Sequence, residues 1–94
     1  MPKAVWNGAT LAESGETIMI EGNHYFPPES VDNSFFDDST QRTRCHWKGD
    51  ASYYDVVVNG ETYPNGAWYY LNPSRAADQI KDYVAFYGGV SIES

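Results

Sequence analysis

This chain is poor in cations, thiols and long apolar runs, and each shortage removes a class of function. Six Lys and Arg residues face thirteen Asp and Glu, a formal net charge of -7. Duplex nucleic acid and anionic membrane surfaces repel such a molecule, so neither is expected as a partner. One cysteine, Cys45, makes no internal disulfide. Together with two histidines it supplies too few ligands for a metal-thiolate site, and no metal or cofactor is expected. No apolar run reaches the length of a bilayer span. The opening stretch MPKAVWNGATLAES lacks the apolar core of a signal peptide, so the expected location is the cytoplasm.

Aromatic residues fill the gap left by sparse aliphatics. Eight Tyr, four Phe and three Trp stand in 94 residues. Each ring buries a large area and suits a pleated, half-buried surface. The length fits one domain, residues 1–94, with a modest core.

Turn chemistry divides the chain. Asn7-Gly8 joins strands over Lys3 to Trp6 and Ala9 to Glu13, because both residues tolerate the positive φ of a tight hairpin. Gly22-Asn23 joins Thr17 to Glu21 with His24 to Phe26 in the same way. Pro27-Pro28 ends regular pairing, and ESVDNSFFDDSTQ, residues 29–41, reads as a loop with a turn of helix at most. Asn59-Gly60 joins Ala51 to Val58 with Glu61 to Tyr63, and Ala67 to Leu71 forms a further strand. Asn72 and Pro73 then suit the cap and first position of a helix that buries Ala76, Ile80 and Tyr83 or Val84. Val90 to Ile92 closes the chain as a strand. The expected fold is mainly β, at the margin of α+β: compact antiparallel sheets of about eight short strands and one short C-terminal helix.

The stretch TRCHWKGDASYY, residues 43–54, concentrates the chemistry. Three of the six cations lie between positions 42 and 48. An extended Arg42 to Lys48 turns Arg42, Arg44, His46 and Lys48 to one side and Thr43, Cys45 and Trp47 to the other. In the plainer reading Cys45 and Trp47 face the core and the basic stripe is solvated. In the sharper reading the cations lower the Cys45 pKa or hold a small phosphate or carboxylate. Gly49 permits a bend that returns Lys48 towards Cys45. A Cys45–His46 dyad is not expected on a strand, because adjacent side chains diverge. His24 reads as an ordinary strand or turn residue.

The chain resembles the bacterial domain-of-unknown-function family numbered four-two-seven. The resemblance rests on EGNHYFPPESV (21–31), TRCHWKGDASYY (43–54), GAWYYLNP (66–73) and VAFYGGVSIE (84–93). The family pattern runs Cys, usually Pro, an aromatic, Lys-Gly, a variable residue and Ala. Here His46 stands in place of the usual Pro. The resemblance implies a compact, mainly β fold. It marks Glu21, Tyr25, Cys45, Lys48, Gly49, Tyr54 and Trp68.

The family also carries a nucleotidyltransferase label. The residues do not support it: there is no Asp-x-Asp, Asp37-Asp38 is an adjacent pair in a polar stretch, and no Gly-rich phosphate loop precedes a helix.

Three functions are weighed. The first is a small-molecule-binding domain whose pocket is centred on Cys45 to Ala51 and takes a small anionic or polar molecule. Tyr25, Trp47, Tyr54, Trp68 and Tyr69 line that pocket, and Glu21, paired with Lys48, supplies polar groups with Cys45. The second is a small enzyme with Cys45 as nucleophile or Lys48 as acid, base or Schiff-base amine. The third is a non-catalytic homodimeric subunit, and the expected state of the protein is a monomer or a homodimer.

Overall fold

The computed structural model describes residues 1–94. Nine strands form three antiparallel sheets, and the only helical segments are 3₁₀. The mainly β, antiparallel architecture read from the sequence is the one observed.

β1 (Lys3–Trp6) and β2 (Ala9–Glu13) meet around Asn7 and Gly8, which adopt φ 51° and 80°. β3 (Ile18–Ile20) pairs with β4 (Asn23–Tyr25). The turn of this second hairpin is Glu21-Gly22, not Gly22-Asn23, with φ of 54° and 80°. Asn23 therefore belongs to the strand, opposite Ile20. A left-handed Glu costs about 1 kcal/mol that Asn or Gly would not.

Two 3₁₀ turns, Pro28–Ser30 and Asn33–Phe35, occupy the expected loop. Asp32 caps the second by accepting from the Ser34 N–H at 3.1 Å. The loop ends sooner than expected, because β5 (Phe36–Cys45) begins inside it. Polar residues serve there because β5 lies at the edge of its sheet, where most of its side chains meet water. β6 (Gly49–Val58) and β7 (Glu61–Tyr69) flank Asn59-Gly60 as expected. The expected separate strand at Ala67 is the second half of β7. A bulge around Pro64 to Gly66 absorbs the break, with Asn65 at φ 54° and its N–H given to Asp55 at 2.8 Å.

The expected C-terminal helix is a kinked 3₁₀ segment, Arg75–Ile80, preceded by Ser74. Its period of three buries Ala77 and Ile80 and leaves Ala76 exposed, where a 3.6 period would have buried Ala76. β8 (Val84–Phe86) and β9 (Ser91–Glu93) complete the chain.

The largest sheet runs β5-β6-β7-β8, and β2-β1-β9 forms a second. Strand alternation gives the large sheet two different faces. Val56, Val58, Ala67, Val84 and Phe86 on its front face share a core with Ala4, Leu11 and Ala12 of the second sheet. Ala51, Tyr53, Tyr70 and Ala85 on the back face pack with Tyr25, Ala77 and Ile80. The β3–β4 hairpin and the 3₁₀ segment thus cover the back.

Candidate functional site

The site is built on the β5–β6 hairpin. β5 ends at Cys45, which pairs with Gly49, so His46, Trp47 and Lys48 form the connecting turn. Strand alternation holds up to Cys45 and stops there. Arg42 and Arg44 stand on the front face, as their partners Ser52 and Asp50 do, and Thr43 and Cys45 on the back. Beyond Cys45 the expected assignment inverts. Lys48 is 4% exposed and Trp47 38%, so the lysine enters the fold and the indole lies outside.

Backbone geometry explains the inversion. Gly49 adopts φ 112° and lies against the Asn72–Ser74 segment, where a Cβ would sit 3.4 Å from the Asn72 carbonyl oxygen. Ser74 N–H donates to the Lys48 carbonyl at 2.8 Å, and Ser74 Oγ to the Trp47 carbonyl at 2.5 Å. The turn is thereby docked on the chain that leads into the 3₁₀ segment, and Lys48 points inward.

Its ammonium meets the Glu21 carboxylate, which also accepts from Trp47 Nε1 at 3.4 Å. The Lys48 side chain is 6% exposed and that of Glu21 56%. The ammonium lies 5.0 Å from the Trp47 ring centroid and 5.8 Å from that of Tyr70. Burial alone pushes the Lys48 pKa down, but the Glu21 carboxylate together with the Tyr25 and Tyr70 hydroxyls and the Cys45 thiol outweighs it, and the pKa lies above the ordinary value. The Lys48 hydrogen bond, and then that of Trp47, lower Glu21. Lys48 is thus protonated across the neutral range and offers a fixed positive charge, not a free amine.

Behind this pair Tyr25 OH accepts from Trp68 Nε1 at 3.1 Å, with the two rings edge to face at 6.2 Å. Burial raises the Tyr25 and Tyr70 hydroxyls. Cys45 is half-buried. Burial pushes its thiol up, but the Trp47 and Lys48 amides turned towards the sulfur, with the Lys48 charge, bring it below the ordinary value.

Glu21, Tyr25, Cys45, Trp47, Lys48 and Trp68 therefore converge on the back of the hairpin. Tyr54 does not join them. It stands on the front face between Phe36 at 5.2 Å and Tyr69 at 4.6 Å, both stacked. Burial and the Tyr69 hydroxyl push Tyr54 up to about 12. Tyr70 completes the back cluster instead of Tyr69, a placement that alternation along Trp68-Tyr69-Tyr70 carries. His24 bonds Thr17 at 2.8 Å and His46 is exposed in the turn, so neither joins Cys45.

The back cluster is close-packed, and both clefts of the fold lie on the front. One, of about 480 Å³, is lined by Arg42, Arg44, Asp50, Ser52, Leu71 and Asn72, among others. The other, of about 340 Å³, is lined by Tyr54, Tyr69, Leu71, Asp82, Val84 and their neighbours. Arg44 pairs with Asp50 at 3.1 Å. Arg42 Nη1 donates to the Ser39 and Gln41 carbonyls at 2.9 and 2.7 Å and has no carboxylate partner.

A family model described as a domain of unknown function, DUF427, matches residues 2–93. The chain belongs to this family. The DUF427 model also bears an NTP-transferase label. Asp37 and Asp38, the adjacent carboxylates that label invites, occupy successive strand positions and diverge to opposite faces, opposite Asp55 and Tyr54 respectively. No curated protein matches the chain.

Proposed function

We propose that this DUF427 protein is a small-molecule-binding domain that takes a small anion on the front of the β5–β6 hairpin. The observation that carries this reading is Arg42: an arginine without a carboxylate partner, beside Arg44 in a cleft, on a chain of net charge -7. Guanidinium groups hold carboxylates and phosphates through paired N–H donors. The back cluster has the supporting role. Lys48, Glu21, Tyr25 and Trp68 lock the turn, and the locked turn fixes the strand positions from which Arg42 and Arg44 project. A single free thiol suits a reducing compartment, so the cytoplasm is the proposed location.

The test is an NMR titration of the intact protein with inorganic phosphate. Amide shifts confined to residues 42–44, 50–52 and 71–72, weakened at least about fivefold in Arg42→Gln, support the reading. Shifts scattered over the surface, or none, refute it.

A second reading is favoured by the lowered Cys45 pKa: thiol chemistry at the back of the same turn. In that case Lys48 is an electrostatic partner of the thiolate, since its protonated state removes it as a base or Schiff-base amine.

A further inference from the structure

The two front clefts share Leu71, and their walls are neighbours in the sheet. Ser52 of the first pairs directly with Tyr69 of the second, and Ser52 and Tyr54 stand two apart on one strand face. The two clefts therefore adjoin on one face of the sheet and meet at Leu71. The two ends of this surface differ in chemistry. At one end, Leu71 is the only hydrophobic residue among seven lining groups. At the other, five of eight are hydrophobic, and Tyr54 and Tyr69 stack there at 4.6 Å.

The charges also differ. Arg42, without a carboxylate partner, stands at the first end beside the Arg44–Asp50 pair, and Asp82 stands at the second. Asp82 repels an anion from the aromatic end, and Arg42 attracts it to the other, so a ligand with both parts has one favourable orientation. From this geometry we infer that the ligand is an anion carrying a flat apolar ring. The phosphate or carboxylate sits at Arg42, and the ring lies along Leu71 against Tyr54 and Tyr69.

This inference rests on the anion-binding reading above and adds the ligand class to it. Phenyl phosphate, inorganic phosphate and benzylamine are the probes, titrated into the intact protein and followed by NMR. Phenyl phosphate is expected to bind about tenfold more tightly than inorganic phosphate, the order given by shielding one ring face from water. It should shift the amides of Tyr54, Tyr69 and Val84 as well as those near Arg42. Leu71 is 53% exposed, so Leu71→Ala leaves the fold intact. That change should remove most of the advantage of phenyl phosphate over inorganic phosphate. Equal affinity for the two phosphates, or binding of benzylamine in preference to both, overturns the inference while the Arg42 site can still stand. If neither phosphate binds, both fall.

Discussion

The Lys48–Glu21 pair is lopsided: the ammonium is enclosed while the carboxylate faces solvent. The two ends of this ion pair should therefore respond differently to removal. Lys48→Met deletes the buried charge and keeps most of the side-chain volume. The freed Glu21 carboxylate hydrates where it stands. Replacing a buried charge by a well-packed apolar group is near neutral or stabilising, so Lys48→Met should lie within ~1 kcal/mol of the parent. Glu21→Gln does the opposite. It keeps the turn's shape and its left-handed backbone, and strands the ammonium in the fold. An unpaired buried charge costs ~3–5 kcal/mol in a closed interior. Here the Glu21 side admits water, so ~2 kcal/mol is the expected cost to Lys48, or on the order of 10 °C in Tm.

Urea unfolding followed by circular dichroism measures both variants and the double variant. The double variant should match Lys48→Met, because the harm of Glu21→Gln needs the ammonium. The pH dependence has a fixed sign. Glu21 is lowered on folding, so its contribution is full above the ordinary carboxylate range and fades as pH falls through the folded value. Lys48 is raised, so its contribution is full below its ordinary value and fades as pH rises through the folded one. The gap between parent and Glu21→Gln is thus level through neutral pH and narrows in acid. A Lys48→Met variant less stable than Glu21→Gln would refute this account of the pair.

Three further outcomes are expected. Alkylation of Cys45 by iodoacetamide in the native protein should follow a thiolate titrating below the ordinary thiol value, and Lys48→Met should move that midpoint up. A native protein that reacts only after unfolding would remove thiol chemistry from consideration. Gly49→Ala places a Cβ on a φ of 112° and against Asn72, and should cost ~1–3 kcal/mol in urea unfolding. Gly89→Ala drives a Cβ to 2.6 Å from the Tyr63 ring and should cost ~1–3 kcal/mol by overpacking, with part of the loss restored by Tyr63→Leu.

Most of the fold was legible because its signals are local. Asn7-Gly8 and Asn59-Gly60 fix two hairpins by their backbone conformation alone. The errors arose where tertiary contacts override local pattern. Glu21 holds a left-handed turn position that propensity gives to Gly or Asn, and Lys48, distant in sequence, is its partner. Strand alternation extended through the turn puts Lys48 on a solvated stripe, whereas Ser74 and Gly49 bend that turn and Lys48 meets Glu21, as the alternative reading with a bend at Gly49 and a Glu21–Lys48 pair has it. The segment 29–41 looked like a loop because polar residues say nothing of an edge strand. For the candidate site, Glu21, Tyr25, Cys45, Trp47, Lys48 and Trp68 were named together and are found together. Tyr54 was grouped with them, but counting alternation from Tyr53, which lies opposite Trp68, puts it on the other face. Leu71 carries no signal in the sequence, since only the fold brings it into the lining of both clefts.

The pairing of β1 with β9, Lys3 opposite Glu93, sets a timetable for synthesis. β9 is translated about 85 residues after β1, some seconds later at ordinary elongation rates. Throughout that interval the outer edge of β1 has its backbone groups unpaired. Lys3 and Trp6 occupy that edge strand, and the lysine charge discourages a second nascent chain from docking there. The four-stranded sheet, complete once β8 has emerged, can form before the smaller one closes.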